Sequence, residues 1–214
     1  MRTFALITAI LLAVSSVFGA VFVPFDGVSQ NGGLNVITTE STTTSATLEF
    51  TADGIYSENS FADGNSYTRI FWENSGVEGL IGTPEIPVYR FLLEIPWGAE
   101  ISIQTLQDEV IEYGLTDLNI DGQILPVQPP LEKIPGAFNP FEMDQRAYYA
   151  GYSTAPVAEV LEYAQLRPRQ GAAIIARPVN YNPALRNIKA HQNLPVRYNF
   201  NGGDFTRMQA NAPP

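Results

Sequence analysis

The stretch ARPVNYNPALRNIKAHQNLPVRYNF, Ala176 to Phe200, decides the fold. It closes on the alternation Leu194, Val196, Tyr198, Phe200, and apolar residues two apart line one face of a β-strand. Pro178 and Pro183 bracket Tyr181-Asn182 ahead of it. Proline brings no ladder donor, and the residue before it is pushed out of the helical region, so these residues mark a corner. Tyr181 offers a large ring to bury and a hydroxyl that can tie the turn to backbone. His191, the only histidine in the sequence, falls within the strand-like run and reads as scaffold.

Working outward, the same alternation recurs. Ala46, Leu48 and Phe50 alternate in ATLEF, Ile101 and Ile103 in EISIQT, and Leu118 with Ile120 in LTDLNID. Val157 to Leu166 is apolar on both parities, as in a strand buried on both sides or one changing sheets. Turn signals punctuate these runs: Asp-Gly at 53–54, 63–64 and 121–122, and Asn-Gly-Gly at 31–33 and 201–203. Helical spacing is scarce. The expectation is an all-β domain, a β-sandwich of antiparallel strands, Ig-like or jelly-roll-like, with little helix. Val21–Gly33 is a lead-in. Pro129 to Gln145, PPLEKIPGAFNPFEMDQ, is too rich in proline for a core strand, and long loops in compact domains are usually functional or disordered.

Composition narrows the function classes. The chain has 214 residues, 45% of them hydrophobic and 16% charged, with a formal net charge of −10. That acidity, with no basic cluster, argues against nucleic acid as the partner. Arg2 followed by an apolar run from Phe4 to Val14 and small residues at Gly19 and Ala20 reads as a signal peptide over residues 1–20. Its removal takes the charge to −11 and leaves no membrane-spanning stretch, so the expected location is secreted or periplasmic. There is no cysteine, which removes thiolate metal sites and a cysteine nucleophile. About 190 residues supply a core without disulfides.

Chemistry-bearing patterns are few. No G-x-S-x-G elbow is present, and a single histidine makes a transition-metal site a poor expectation; no metal or cofactor is expected. Asp117, Asn119, Asp121 and Gly122 form D-x-N-x-D-G, the opening of an EF-hand loop, but position twelve is Gln128 and prolines block a following helix. A hairpin turn at Asp121-Gly122 is the simpler reading. Asp108, Glu109 and Glu112 read as a solvated strand face. Trp72, Trp97, Tyr148, Tyr149 and Tyr152 would suit sugar stacking or a sandwich core.

Two longer blocks are more specific. IGTPEIPVYRFLLEIPWGAEISI spans Ile81 to Ile103, and AYYAGYSTAPVAEVLEYAQLRPRQGAAIIARPVNYNP precedes KAHQNLPVRYNF. In this order they resemble the propeptide of gingipain-type secreted cysteine peptidases, on Gly82, Pro84, Pro87, Arg167, Gly171, Pro178, Tyr181, Asn182 and Pro183. The likeness runs over residues 82–204; Phe22 to Leu80 matches only in position and β-character. RPRQG departs from the family's usual R-G turn. The resemblance implies a β-sandwich prodomain over residues 21–204 and a tail or linker start at 205–214, leading to an absent catalytic domain.

It also implies a function. Such a chain has no catalytic group; it aids the folding of a cognate cysteine peptidase catalytic domain, in cis or trans, and holds it latent. A loop in the cleft would inhibit, with Lys133 and Arg146 flanking the candidate loop, and Arg207 would suit processing. The other reading is a stand-alone secreted β-sandwich adhesion or carbohydrate-binding module.

Overall fold

A computed structural model describes residues 19–25, 33–166 and 169–204. Residues 1–18 of the expected signal peptide, Arg167, and the 205–214 tail with Arg207 lie outside the described residues. The strands are β1 (Val21–Pro24), β2 (Leu34–Ser41), β3 (Ser45–Ala52), β4 (Gly54–Ala62), β5 (Asn65–Phe71), β6 (Gly76–Glu78) and β7 (Ile86–Ile95). There follow β8 (Glu100–Thr105), β9 (Glu109–Gly114), β10 (Gln123–Ile124), β11 (Ala158–Leu166), β12 (Arg169–Ala176), β13 (Val179–Asn182) and β14 (Asn187–Asn201). One 3-10 turn, Ala147–Tyr149, is the only helical element among the described residues.

The chain is an all-β sandwich, and β14 is its shared member. Its first half pairs with β13 on one side and β9 on the other; its second half pairs with β3 and β8. β2 extends β3 at the edge. Across from this six-stranded sheet lie two four-stranded ones, in orders β1-β4-β5-β10 and β11-β12-β7-β6. Pairing is antiparallel except for β10 beside β5.

Alternation along β14 divides its residues between two cores. Ile188 and Ala190 pack with Ile55, Ile70, Trp72, Ile124 and Tyr181. Leu194, Val196, Tyr198 and Phe200 pack with Phe50, Ile95, Ile174 and Ala176. Gln192 is the extra residue where the β9 register shifts between His191 and Asn193, a bulge that re-aims the strand from one core to the next. Pro195 accepts from the Leu106 N–H. Its missing donor thus faces the gap between β9 and β8, a place where proline costs no ladder bond.

Local rules explain the turns. Asp63 and Gly64 join β4 to β5 with both φ angles positive, 48° and 75°, the geometry that Asp-Gly favours in a two-residue hairpin. Gly54 must be glycine, because a Cβ there would lie 2.4 Å from the Phe22 ring.

Three expectations need correction. Leu118 and Ile120 are buried in a turn rather than a strand, tied by Ile120 N–H to Leu115 O and Asn119 N–H to Thr116 O. Asp121-Gly122 therefore makes no hairpin; β10 runs parallel to β5 instead. Val157–Leu166 is not buried on both sides. As β11 it pairs only with β12, bulges at Leu161, and leaves Leu161 and Tyr163 about half exposed.

Leu194 is fully buried where the two halves of β14 meet. Leu194→Ala removes apolar volume with little room to collapse and is expected to cost about 2–5 kcal/mol, read from urea unfolding. Leu131→Ala at an exposed loop site is expected to stay within about 0.5 kcal/mol in the same assay.

Candidate functional site

Pro129–Gln145 contains no strand or helix, yet its two legs are held at several levels. At the base, the Gly82 N–H donates to Val127 O at 2.8 Å, and the Asp144 N–H donates to Gly82 O at 2.9 Å. One residue of the 79–84 turn thus clamps both ends of the loop. Val127 N–H returns to Thr83 O at 2.8 Å, and Pro84 bridges to Pro126. Gly82 has φ +85°, and a Cβ there would sit 2.7 Å from the Asp144 nitrogen. Only glycine meets both demands.

Above the clamp, the Gln128 side chain acts like a strand partner. Its Nε2 donates to Glu142 O at 2.8 Å, and its Oε1 accepts from the Glu142 N–H at 3.0 Å. Higher still, Asn139 Nδ2 donates to the Pro129 and Pro130 carbonyls at 3.2 and 3.1 Å. Phe141 packs on the Tyr67 ring with centroids 5.4 Å apart. Under the loop's foot, the Tyr148 hydroxyl donates to Ile124 O at 2.7 Å, and burial holds its pKa well above the usual tyrosine range. Glu85 is buried beside the clamp and accepts from Arg69 Nε at 2.7 Å. Burial raises its pKa, and the Arg69 charge opposes the rise.

What remains free is the tip. Pro130 to Gly136 is exposed throughout, with Leu131, Ile134 and Phe138 showing 58%, 60% and 82% of their surface. Lys133 sits among them. Arg146 stands at the foot, where its N–H is tied to the Asp144 carboxylate at 2.9 Å. Other described cations have partners: Arg69, Arg169, Arg177 and Arg197 hold glutamates. Arg90 and Arg186 hold carbonyls, and Lys189 lies over the Tyr152 ring. Among the described residues, only the Lys133 and Arg146 side chains are left without one.

The other sequence candidates resolve into scaffold. His191 lies in β14, is buried, and its Nδ1 meets Asp108 Oδ1 at 2.8 Å. The acidic residues expected as one solvated face are therefore split: Asp108 turns to the histidine, whereas Glu112 accepts from Asn187 Nδ2 at 2.7 Å. The nearby Ser153 hydroxyl accepts from the Ala155 N–H, and no hydrogen bond joins Ser153 to His191 among the described residues. At the D-x-N-x-D-G segment, one Arg186 guanidinium nitrogen donates to the Ile120, Asp121 and Gly122 carbonyls at 3.2, 2.5 and 3.1 Å. A protein cation holds that turn together. Of the candidate aromatics, Trp72 and Tyr148 are core residues and Tyr149 is exposed.

Pro87 lies in β7 opposite Val77 of β6. Pro178 links β12 to β13, and its carbonyl accepts from His191 N–H. Asn182 Oδ1 accepts from the Leu185 N–H at 3.1 Å, closing the turn that Pro183 opens. The Tyr181 hydroxyl does not tie that turn to backbone. It points inward with no hydrogen-bond partner among the described residues, and burial pushes its pKa up to about 12. Sequence reasoning missed Gln128 and Asn139; two amides spaced across a proline-rich loop were the available signal.

No protein-family model matches the sequence. Lys-gingipain HG66 of Porphyromonas gingivalis is 25% identical over 156 residues, covering 68% of this chain and 8% of that protein. Lys-gingipain W83 of the same species is 24% identical over the same length. The chain thus spans only 8% of the curated relatives it matches. Among solved structures, one addressing zymogenic latency of P. gingivalis gingipain K superposes with a TM-score of 0.70 at 20% identity, covering 85% of this chain and 98% of that one. The complex of P. gingivalis RgpB pro- and mature domains gives 0.66 at 15% identity, covering 79% and 87%. The shared fold thus takes in 85% and 79% of this chain in the two superpositions.

Gly82→Ala is expected to loosen the loop by straining a left-handed position, at about 1–3 kcal/mol. Amide exchange at Asp144 and Val127 should rise at least tenfold, while exchange within β14 stays unchanged.

Proposed function

We propose that this chain is the N-terminal prodomain of a gingipain-like secreted cysteine peptidase. It carries no catalytic group of its own, packs on the catalytic domain, helps it fold and keeps it latent. The loop Pro129–Gln145 enters the active-site cleft. The observation that carries the reading is the pair of partnerless cations at this loop, in a fold where the other described cations have carboxylate, carbonyl or aromatic partners. Lys133 is the better placed, at the tip between exposed Leu131 and Ile134. A lysine there suits the specificity pocket of a peptidase like the Lys-gingipains that the chain resembles. Arg146 is bound to the foot through its main chain and is assigned the lesser part.

Burying the loop with its rim is consistent with an interface of about 1,600 Å², with recognition by shape and charge rather than by chemistry. Residues 1–20 would direct export, and cleavage after Arg207 would separate prodomain from catalytic domain. A glycan-binding module is disfavoured because two of its candidate stacking aromatics are core residues.

The direct measurement is binding of residues 21–204 to a separately produced cognate catalytic domain. Tight inhibition is expected. Lys133→Ala should cost about 2 kcal/mol or more, the loss of an interface hot spot, and Arg146→Ala less than tenfold in Kd. No binding at micromolar concentration would overturn the reading. For processing, mass analysis of the precursor is expected to place the cut after Arg207, and Arg207→Ala should block it.

A further inference from the structure

The loop is built to survive its own cleavage. We infer that the cognate peptidase hydrolyses the Lys133–Ile134 bond slowly and that the cut loop stays in place and continues to inhibit; this rests on the prodomain reading above. The reaction consumes one water. The Lys133–Ile134 C–N bond breaks, leaving a carboxylate on Lys133 and an ammonium on Ile134, and no other reactant is needed.

The bracing is what gives the cut ends nowhere to go. Three rungs join the legs below the tip: Gly82 between Val127 and Asp144, Gln128 with Glu142, and Asn139 with Pro129 and Pro130. Pro129, Pro130, Pro135 and Pro140 further restrict the backbone. Both ends formed by hydrolysis are tethered within a few residues of a rung. The entropy of holding them near the cleft is already met by the fold. The new amine also stays beside the acyl group, at an effective concentration that favours resealing over loss. An unbraced loop of the same sequence would swing away after one turnover.

Only one lysine is offered for cutting. The sequence has two, Lys133 and Lys189. Lys189 lies in β14, opposite Asn180 on one side and Glu112 on the other, where no peptidase can reach an extended backbone. Gln128 and Asn139 are accordingly positioning residues: their hydrogen bonds go to Glu142, Pro129 and Pro130 rather than to the scissile bond, and they hold Lys133 in register.

The test uses the purified folded chain and an unrelated lysine-specific endopeptidase. A native digest is expected to give two fragments parted at Lys133. After removal of that endopeptidase, inhibition of the separately produced cognate catalytic domain is measured. Nicked wild type should inhibit within about tenfold of intact chain, a difference of one decade in Kd. The double variant Gln128→Ala, Asn139→Ala should inhibit comparably when intact but lose at least about a hundredfold once nicked. A hundredfold loss on nicking the wild type, with intact chain inhibiting, overturns this inference and leaves the prodomain reading standing. Equal behaviour of nicked variant and nicked wild type overturns the bracing role. Intact wild type that fails to inhibit overturns the prodomain reading itself. Should the double variant not fold, the wild-type comparison alone decides the matter.

Discussion

The structure depends on the strand Asn187–Asn201. It is paired on both sides along most of its length, and its even-numbered apolar residues are shared between two cores. A strand of this kind cannot slip by one residue without sending Leu194, Val196 and Tyr198 into the opposite face, which would expose several buried side chains worth roughly 1.5–3 kcal/mol each. The bulge at Gln192 and the proline at 195 sit where the strand changes partners. These irregularities fix the register rather than weaken it. The positions of β13, and of the turn at Asn182, follow from this one strand.

The loop from Pro129 to Gln145 is positioned by a different device. It contains no ladder, so its backbone polar groups are satisfied by amide side chains and by the 79–84 turn. The result is a surface segment with a fixed base and a free tip in which Glu132 and Lys133 stand between exposed apolar residues. A partner that accepts such a tip meets a ligand already ordered, so less conformational entropy is lost on binding. Glu132, Glu142 and Asp144 keep the loop acidic like the rest of the chain, so the partnerless Lys133 and Arg146 are single cations within it rather than a basic patch.

Much of the fold was legible in the residues. The alternation at 194–200, the strands at 46–50 and 101–103, the Asp63-Gly64 hairpin and the lack of helix all follow from side-chain period and turn chemistry. The long loop was legible from its prolines. Leu118 and Ile120 misled because a tight turn also places residues two apart on one side. Val157–Leu166 misled because apolar content does not say which strand ends a sheet. The Asp108–His191 pair joins residues 83 apart, and Arg186 reaches a turn 64 to 66 residues away. Such contacts come from topology, which local spacing does not encode. The same holds for the Gln128–Glu142 rung, whose partner is a backbone group with no sequence signature.

The pairing of β14 with β3 joins residues near opposite ends of the domain, as in the Arg197–Thr47 contact across 150 positions. Neither core is complete before the last strand has been synthesised and has returned to meet the third. Non-local closure of that sort is slow, so the chain spends its early life open and threadable. Under the export proposed above, late closure would keep the polypeptide threadable until it has reached the far side of a membrane.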